Sequence, residues 1–194
     1  MSENRHAFHS ISARKTASIS VLCALSLISF MLENLLPPLF LPGAKIGLSN
    51  IFTLFTLVVY TPIDAILLII IRTTLGSIIV GNISSLIYSL SAGLCSIIIS
   101  SILITYVHPK ISLISISIVS AIIHNIIQTI VFSIITNSTS MLFYLPYFAL
   151  IGILSGVIVG AVVYLVIHKL PIYFFNGILY KNSKTNTLEK ENIW

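Results

Sequence analysis

IDAILLIIIRTTLGSIIV, residues 63–80, decides how the rest of the chain is read. It is apolar over the length of a membrane span, for which about 20 residues cross a hydrocarbon core of about 30 Å. Yet Arg72 stands near its middle, too central to snorkel easily to an interface. A charge at that depth costs at least about 2.5–3.5 kcal/mol on insertion scales, so it faces an interior, finds a partner, or both. One reading is a buried Arg–Glu pair that fixes helix packing. The other is an anion-binding residue on a cavity wall, and intramembrane arginines favour this second reading.

Composition agrees with the membrane assignment. The chain is 57% hydrophobic and 8% charged, with a mean hydropathy of +1.08. Soluble domains carry roughly 25% charged residues, so this chain is read as an integral membrane protein. Its net charge of +5 gathers at the ends, in Arg5, Arg14 and Lys15 and in Lys169, Lys181, Lys184 and Lys190. Basic ends on an apolar chain report topology. No aromatic–basic interleaving suggests a nucleic-acid surface. Cys23 and Cys95 have no metal-ligand spacing and read as small buried apolar residues. No metal and no cofactor is expected.

Working outward from residues 63–80, the hydropathy predicts six spans: 17–36, 44–60, 63–80, 84–107, 111–136 and 144–168. The first is long for a signal-peptide core and no cleavage site follows, so it is read as a retained helix. The expected fold is an all-α integral membrane bundle of six transmembrane helices. Residues 1–16 form a cytoplasmic segment, 17–168 the membrane domain and 169–194 a polar cytoplasmic tail. The positive-inside rule places both termini, and His108-Pro109-Lys110, in the cytoplasm. Loops 37–43 and 137–140 then face outside.

The stretch LENLLPPLFLPGAKIGLSN, residues 32–50, reads as an outer lid. Pro37, Pro38, Pro42 and Gly43 restrict its shape, which lowers the entropy lost on closing over a site. Glu33 and Lys45 stand at its two feet. Whether Glu33 pairs with Arg72, with Lys45 or with a ligand is open at this level. In the fifth span, HNIIQ puts His124 and Gln128 on one helix face with Asn125 beside them. That stretch suits a cavity lining or interhelical hydrogen bonding equally, and Arg72 raises the first. Asn50 and Tyr88 could complete a polar pocket. Asp64, just after Thr61-Pro62, reads as a residue of the helix cap. Small residues four apart recur at Ala13/Ala17, Ser20/Ala24, Ser89/Gly93 and Gly152/Gly156/Gly160, a spacing that lets helices approach closely. Packing within the bundle explains most of them; Ala13/Ala17 sits where a partner subunit could dock.

Enzyme chemistry finds little support. The acids are Glu3, Glu33, Asp64, Glu189 and Glu191, and three of the five lie in polar tails. They offer no carboxylate cluster for Mg²⁺. Walker A, HExxH and GxSxG sequences are all missing.

The chain resembles the bacterial membrane family called heptaprenyl diphosphate synthase component I, also called the Gx transporter family. The matching stretches are LENLLP (32–37), PGAKIGLSN (42–50), Arg72 with Gly76 and Gly81, YSLSAG (88–93), HNIIQ (124–128) and YLP (144–146). They cover roughly residues 17–165. The sequence departs near Ala121 and Ile127, where that family often has glycine. The resemblance implies a multi-pass protein of the bacterial cell membrane, folded like the substrate-binding S components of energy-coupling-factor transporters. It further implies a site open to the outside under the first loop, and a small-xxx-small motif docking on a coupling subunit. Ala13/Ala17 is the candidate, with Arg14 and Lys15 between them. The family name implies a synthase subunit, but prenyl diphosphate synthases use aspartate-rich motifs and this chain has one aspartate. Two functions are therefore expected. The first is uptake of a small anionic or amphiphilic metabolite, energised by partner ATPases and a coupling subunit, with Arg72, His124, Asn125, Gln128, Lys45, Glu33, Asn50 and Tyr88 at the site. The second is a non-catalytic membrane subunit for prenyl diphosphate synthesis or a quinone-linked redox system.

Overall fold

A computed structural model describes residues 3–35, 47–108 and 110–169, without the side chains of residues 3–12 and 34–35. The described residues form helices and turns and no strand. The helices are α1 (Glu3–Leu35), α2 (Ser49–Val59), α3 (Pro62–Val80), α4 (Ile83–Tyr106), α5 (Leu113–Ile135) and α6 (Leu145–Lys169). A 3-10 turn at Thr139–Tyr144 leads into α6. Five segments are long and apolar enough to cross a membrane: Ala13–Glu33, Pro62–Val80, Ile83–Tyr106, Leu113–Ile135 and Thr139–Lys169. Ile63, Ile78, Ile83, Ile134 and Leu154 are each more than half exposed, so the bundle wears its apolar residues outside.

Local chemistry sets several helix ends. Thr61 and Asp64 form a reciprocal capping box at the start of α3, with Pro62 in the first turn. Asp64 is thus the cap residue its position suggested. The α3–α4 corner turns on Gly81, whose φ of +72° favours glycine, followed by Asn82 accepting from Ser85 N at 3.0 Å. Ser112 caps α5 in the same way.

The expected second span, 44–60, needs correction. Helix α2 begins at Ser49 and has 11 residues, which rise about 16 Å, half of a hydrocarbon core of about 30 Å. Hydropathy counts greasy residues but does not show where the backbone starts to coil. Gly47, at φ +79°, stands just before the helix, and residues 36–46 lie outside the described part. A half-length helix is tolerated in a membrane because protein surrounds it. Seven of its residues are buried, from Ser49 to Val59, and it touches α1, α3, α4 and α6.

Helices α5 and α6 pack most tightly. A Cβ on Gly152, Gly156 or Gly160 would lie 2.9, 2.5 or 2.9 Å from the Cα of Ile122, Ile118 or Ile114. The glycine ladder therefore lets the α6 backbone lie directly on that of α5. The departure at Ala121 leaves this contact intact, because the glycine is supplied by α6. The apolar core gathers toward the end where α2 finishes and α3 begins, in Val58, Val59, Ala65, Ile104, Ile116, Val163 and Ile167. Arg72 and its partners lie beyond it.

Candidate functional site

The site begins with Arg72, which is 2% exposed at mid-helix in α3. Its Nη1 donates to Ser26 Oγ at 3.4 Å and its Nη2 to Asn50 Oδ1 at 3.4 Å. Its Nε has no partner among the described residues. Ser26 Oγ donates to the carbonyl of Ser49 at 3.2 Å, and Ser49 Oγ donates to Glu33 Oε2 at 3.3 Å. The amide of Leu48 donates to Glu33 Oε1. Ser26 and Glu33 lie seven residues apart on one face of α1, with buried Phe30 between them. That face meets the face of α3 carrying Arg72 and Gly76.

This arrangement bears on one of the pairings left open for Glu33, that with Arg72. The carboxylate takes hydrogen bonds from the amide of Leu48, just before α2, and from the hydroxyl of Ser49, its first residue, where the helix dipole favours a negative charge. Glu33 acts on Arg72 electrostatically, but the two are not in ion-pair contact; Ser26 and Ser49 stand between them. A strongly desolvated guanidinium is thus held by neutral oxygens, with its balancing acid one layer away. Lys45 and the loop 37–43 lie outside the described residues.

Asn50 has a second neighbour. With Thr53, Ser96, Ser100, Ser117, Ser120 and Ser155 it lines a cavity of about 30 Å³ between α2 and the α4–α5–α6 layer, room for one water or a group of that size. Ser100 Oγ donates to Ser120 Oγ at 2.8 Å, and Ser96 Oγ lies 2.6 Å from the same oxygen. Sequence reasoning passed over these serines because single hydroxyls are tolerated in spans. The available signal was spacing: Ser96 and Ser100, and Ser117 and Ser120, each share a helix face.

The remaining candidates divide. Asn125 donates from Nδ2 to the carbonyl of Phe148 at 3.0 Å and so ties α5 to α6. Gln128 is buried, His124 is half-buried, and Tyr88 is buried with its ring edge against Phe132 at 5.6 Å. Helix α5 packs on α4 and α6 rather than closely on α3. Arg72, Asn50 and Glu33 therefore form one cluster, while Asn125 of the HNIIQ group is engaged by α6 and Ala121, one turn before His124, lines the cavity that Asn50 shares. Ala13 and Ala17 are exposed on α1. Among the described residues no three His, Cys, Asp or Glu side chains gather to hold a metal ion.

The family model described as heptaprenyl diphosphate synthase component I matches residues 22–166. No curated protein and no solved structure matches the chain. The family match runs through the Arg72 cluster, the serine cavity and the HNIIQ helix, and covers well over half of the chain: this protein belongs to the heptaprenyl diphosphate synthase component I family.

Proposed function

We propose that the chain is a membrane substrate-binding transport protein of the S-component type. It takes up a small anionic or amphiphilic metabolite and depends on a coupling subunit and ATPases for energy. The observation that supports this reading is Arg72, a buried cation whose hydrogen bonds among the described residues go to neutral acceptors, beside a hydroxyl-lined cavity reached through Asn50. Such a charge fits an anion that binds and leaves better than it fits a permanent structural pair. His124, Gln128, Tyr88 and Lys45 belong to the same reading as further contacts, and Ala13/Ala17 as the docking face for the coupling subunit.

Mass spectrometry of small molecules released from the purified protein tests it. Arg72→Met should keep the fold and lose the bound molecule. Normal binding by a folded Arg72→Met protein would remove the cavity as the site.

A second reading is a non-catalytic membrane subunit that anchors or presents lipid to a soluble prenyl diphosphate synthase. The family name supports it, since it denotes a synthase component. Affinity purification from native membranes separates the two readings. Recovery with ATPase subunits favours transport, and recovery with a prenyl synthase favours the subunit role.

A further inference from the structure

The oxygens lining the cavity between α2 and the α4–α5–α6 layer have mostly spent their hydrogens on one another and on the backbone. The cavity measures about 30 Å³, and no acid, lysine or arginine lines it. Thr53, Ser100 and Ser155, on three of its walls, are each less than a tenth exposed. A hydroxyl has one hydrogen to give and two lone pairs with which to accept. Where that hydrogen goes decides what the oxygen offers to an occupant.

Ser100 Oγ donates to Ser120 Oγ at 2.8 Å, Ser155 Oγ to the carbonyl of Gly152 at 3.3 Å, and Thr53 Oγ1 to the carbonyl of Ser49 at 3.5 Å. The last two are the back-bonds that hydroxyls make within their own helices. Asn50 Oδ1 accepts from Arg72 Nη2 at 3.4 Å and keeps one lone pair. Four oxygens from α2, α4 and α6 therefore line the cavity as acceptors. Ser117, the buried lining serine of α5, makes no hydrogen bond among the described residues and has a hydrogen to give.

This pattern disfavours ions of both signs. An anion would meet lone pairs from four oxygens, with the Ser117 hydrogen in its favour. A metal cation or an ammonium would find no carboxylate on the walls, and would lie beside Asn50, which already takes a hydrogen bond from the Arg72 guanidinium. An uncompensated buried charge at such a place is costly. A neutral O–H group suits both demands: its hydrogen goes to the waiting acceptors, and its oxygen accepts from Ser117. The cavity has room for one such group.

We propose that this cavity is a binding site for one neutral hydroxyl donor, supplied by a water molecule or by an alcohol group of a bound metabolite. The site is defined by its lining oxygens and does not depend on Arg72 binding an anion. Crystals of the full chain grown in parallel from chloride and from bromide test it. Density for one light atom, or for a hydroxyl ending a longer molecule, should lie about 2.7–2.8 Å from at least two of Asn50 Oδ1, Thr53 Oγ1, Ser100 Oγ and Ser155 Oγ. An isolated peak identifies water; continuous density identifies a metabolite, which mass spectrometry of dissolved crystals then names. A bromide anomalous peak in the cavity overturns the proposal. So do several contacts shorter than about 2.5 Å, as metal cations make with oxygen, a molecule that enters with a charged group, or an empty cavity. Thr53→Val combined with Ser155→Ala removes two acceptors and should lose the peak; an undiminished peak in that variant also overturns the proposal. The parent structure decides the matter whether or not the variant folds.

Discussion

Glu33 and Ser49 are sixteen residues apart in sequence yet share a hydrogen bond, and that bond changes what the acid is for. A carboxylate at a helix start satisfies an amide that the helix itself leaves unpaired, here that of Leu48. The effect separates by substitution. Glu33→Gln keeps an acceptor for the Leu48 amide but removes the charge near Arg72. Glu33→Ala removes both. Loss of a helix cap costs about 0.5–2 kcal/mol, so Glu33→Ala should unfold at a clearly lower temperature in detergent than Glu33→Gln. Equal losses would mean that charge alone matters and that capping contributes nothing. Arg72 was legible in the sequence as an anomaly because a charge in an apolar run is rare. Its partners were not: Ser26 lies 46 residues away and is an ordinary serine in any hydropathy count.

At the scale of elements, α2 and the α5–α6 seam are instructive in opposite ways. The seam was visible as Gly152, Gly156 and Gly160 four apart, and the structure lays each against α5 backbone. Backbone atoms cannot swing aside, so Gly156→Ala should cost about 1–3 kcal/mol through overpacking. Gly76→Ala meets the ring of Phe30, a side chain that can turn, and should cost less. Thermal unfolding of the two variants side by side checks the order; a larger loss from Gly76→Ala would contradict the seam as the rigid part of the bundle. Helix α2 was visible as an apolar run and misjudged in length. Its residues resemble those of a lipid-facing span, but burial on several sides makes the same composition serve a half-length core helix.

For the molecule as a whole, the apolar core and the polar cluster occupy different depths of the bundle. Val58, Val59, Ile116 and Val163 fill the end near Asp64, while Arg72, Ser26, Ser49 and Asn50 hold the level beyond it. A packed apolar end below and a polar cluster above give the bundle a direction. The basic residues at both chain ends predict that both termini face the cytoplasm. Reporter fusions at residue 1 and residue 194 should both be active on that side, and opposite sides would mean an odd number of crossings. The sequence by itself determined the membrane class, the helices α3 to α6 to within a few residues, and the family. Hydropathy, proline, glycine and caps act over a few neighbouring residues, so these features can be read locally. Only the tertiary structure decided that Glu33 caps α2, that α2 is short, and that five serines from three helices meet at one cavity. Those outcomes depend on which distant surfaces come to face one another, and no local pattern records that.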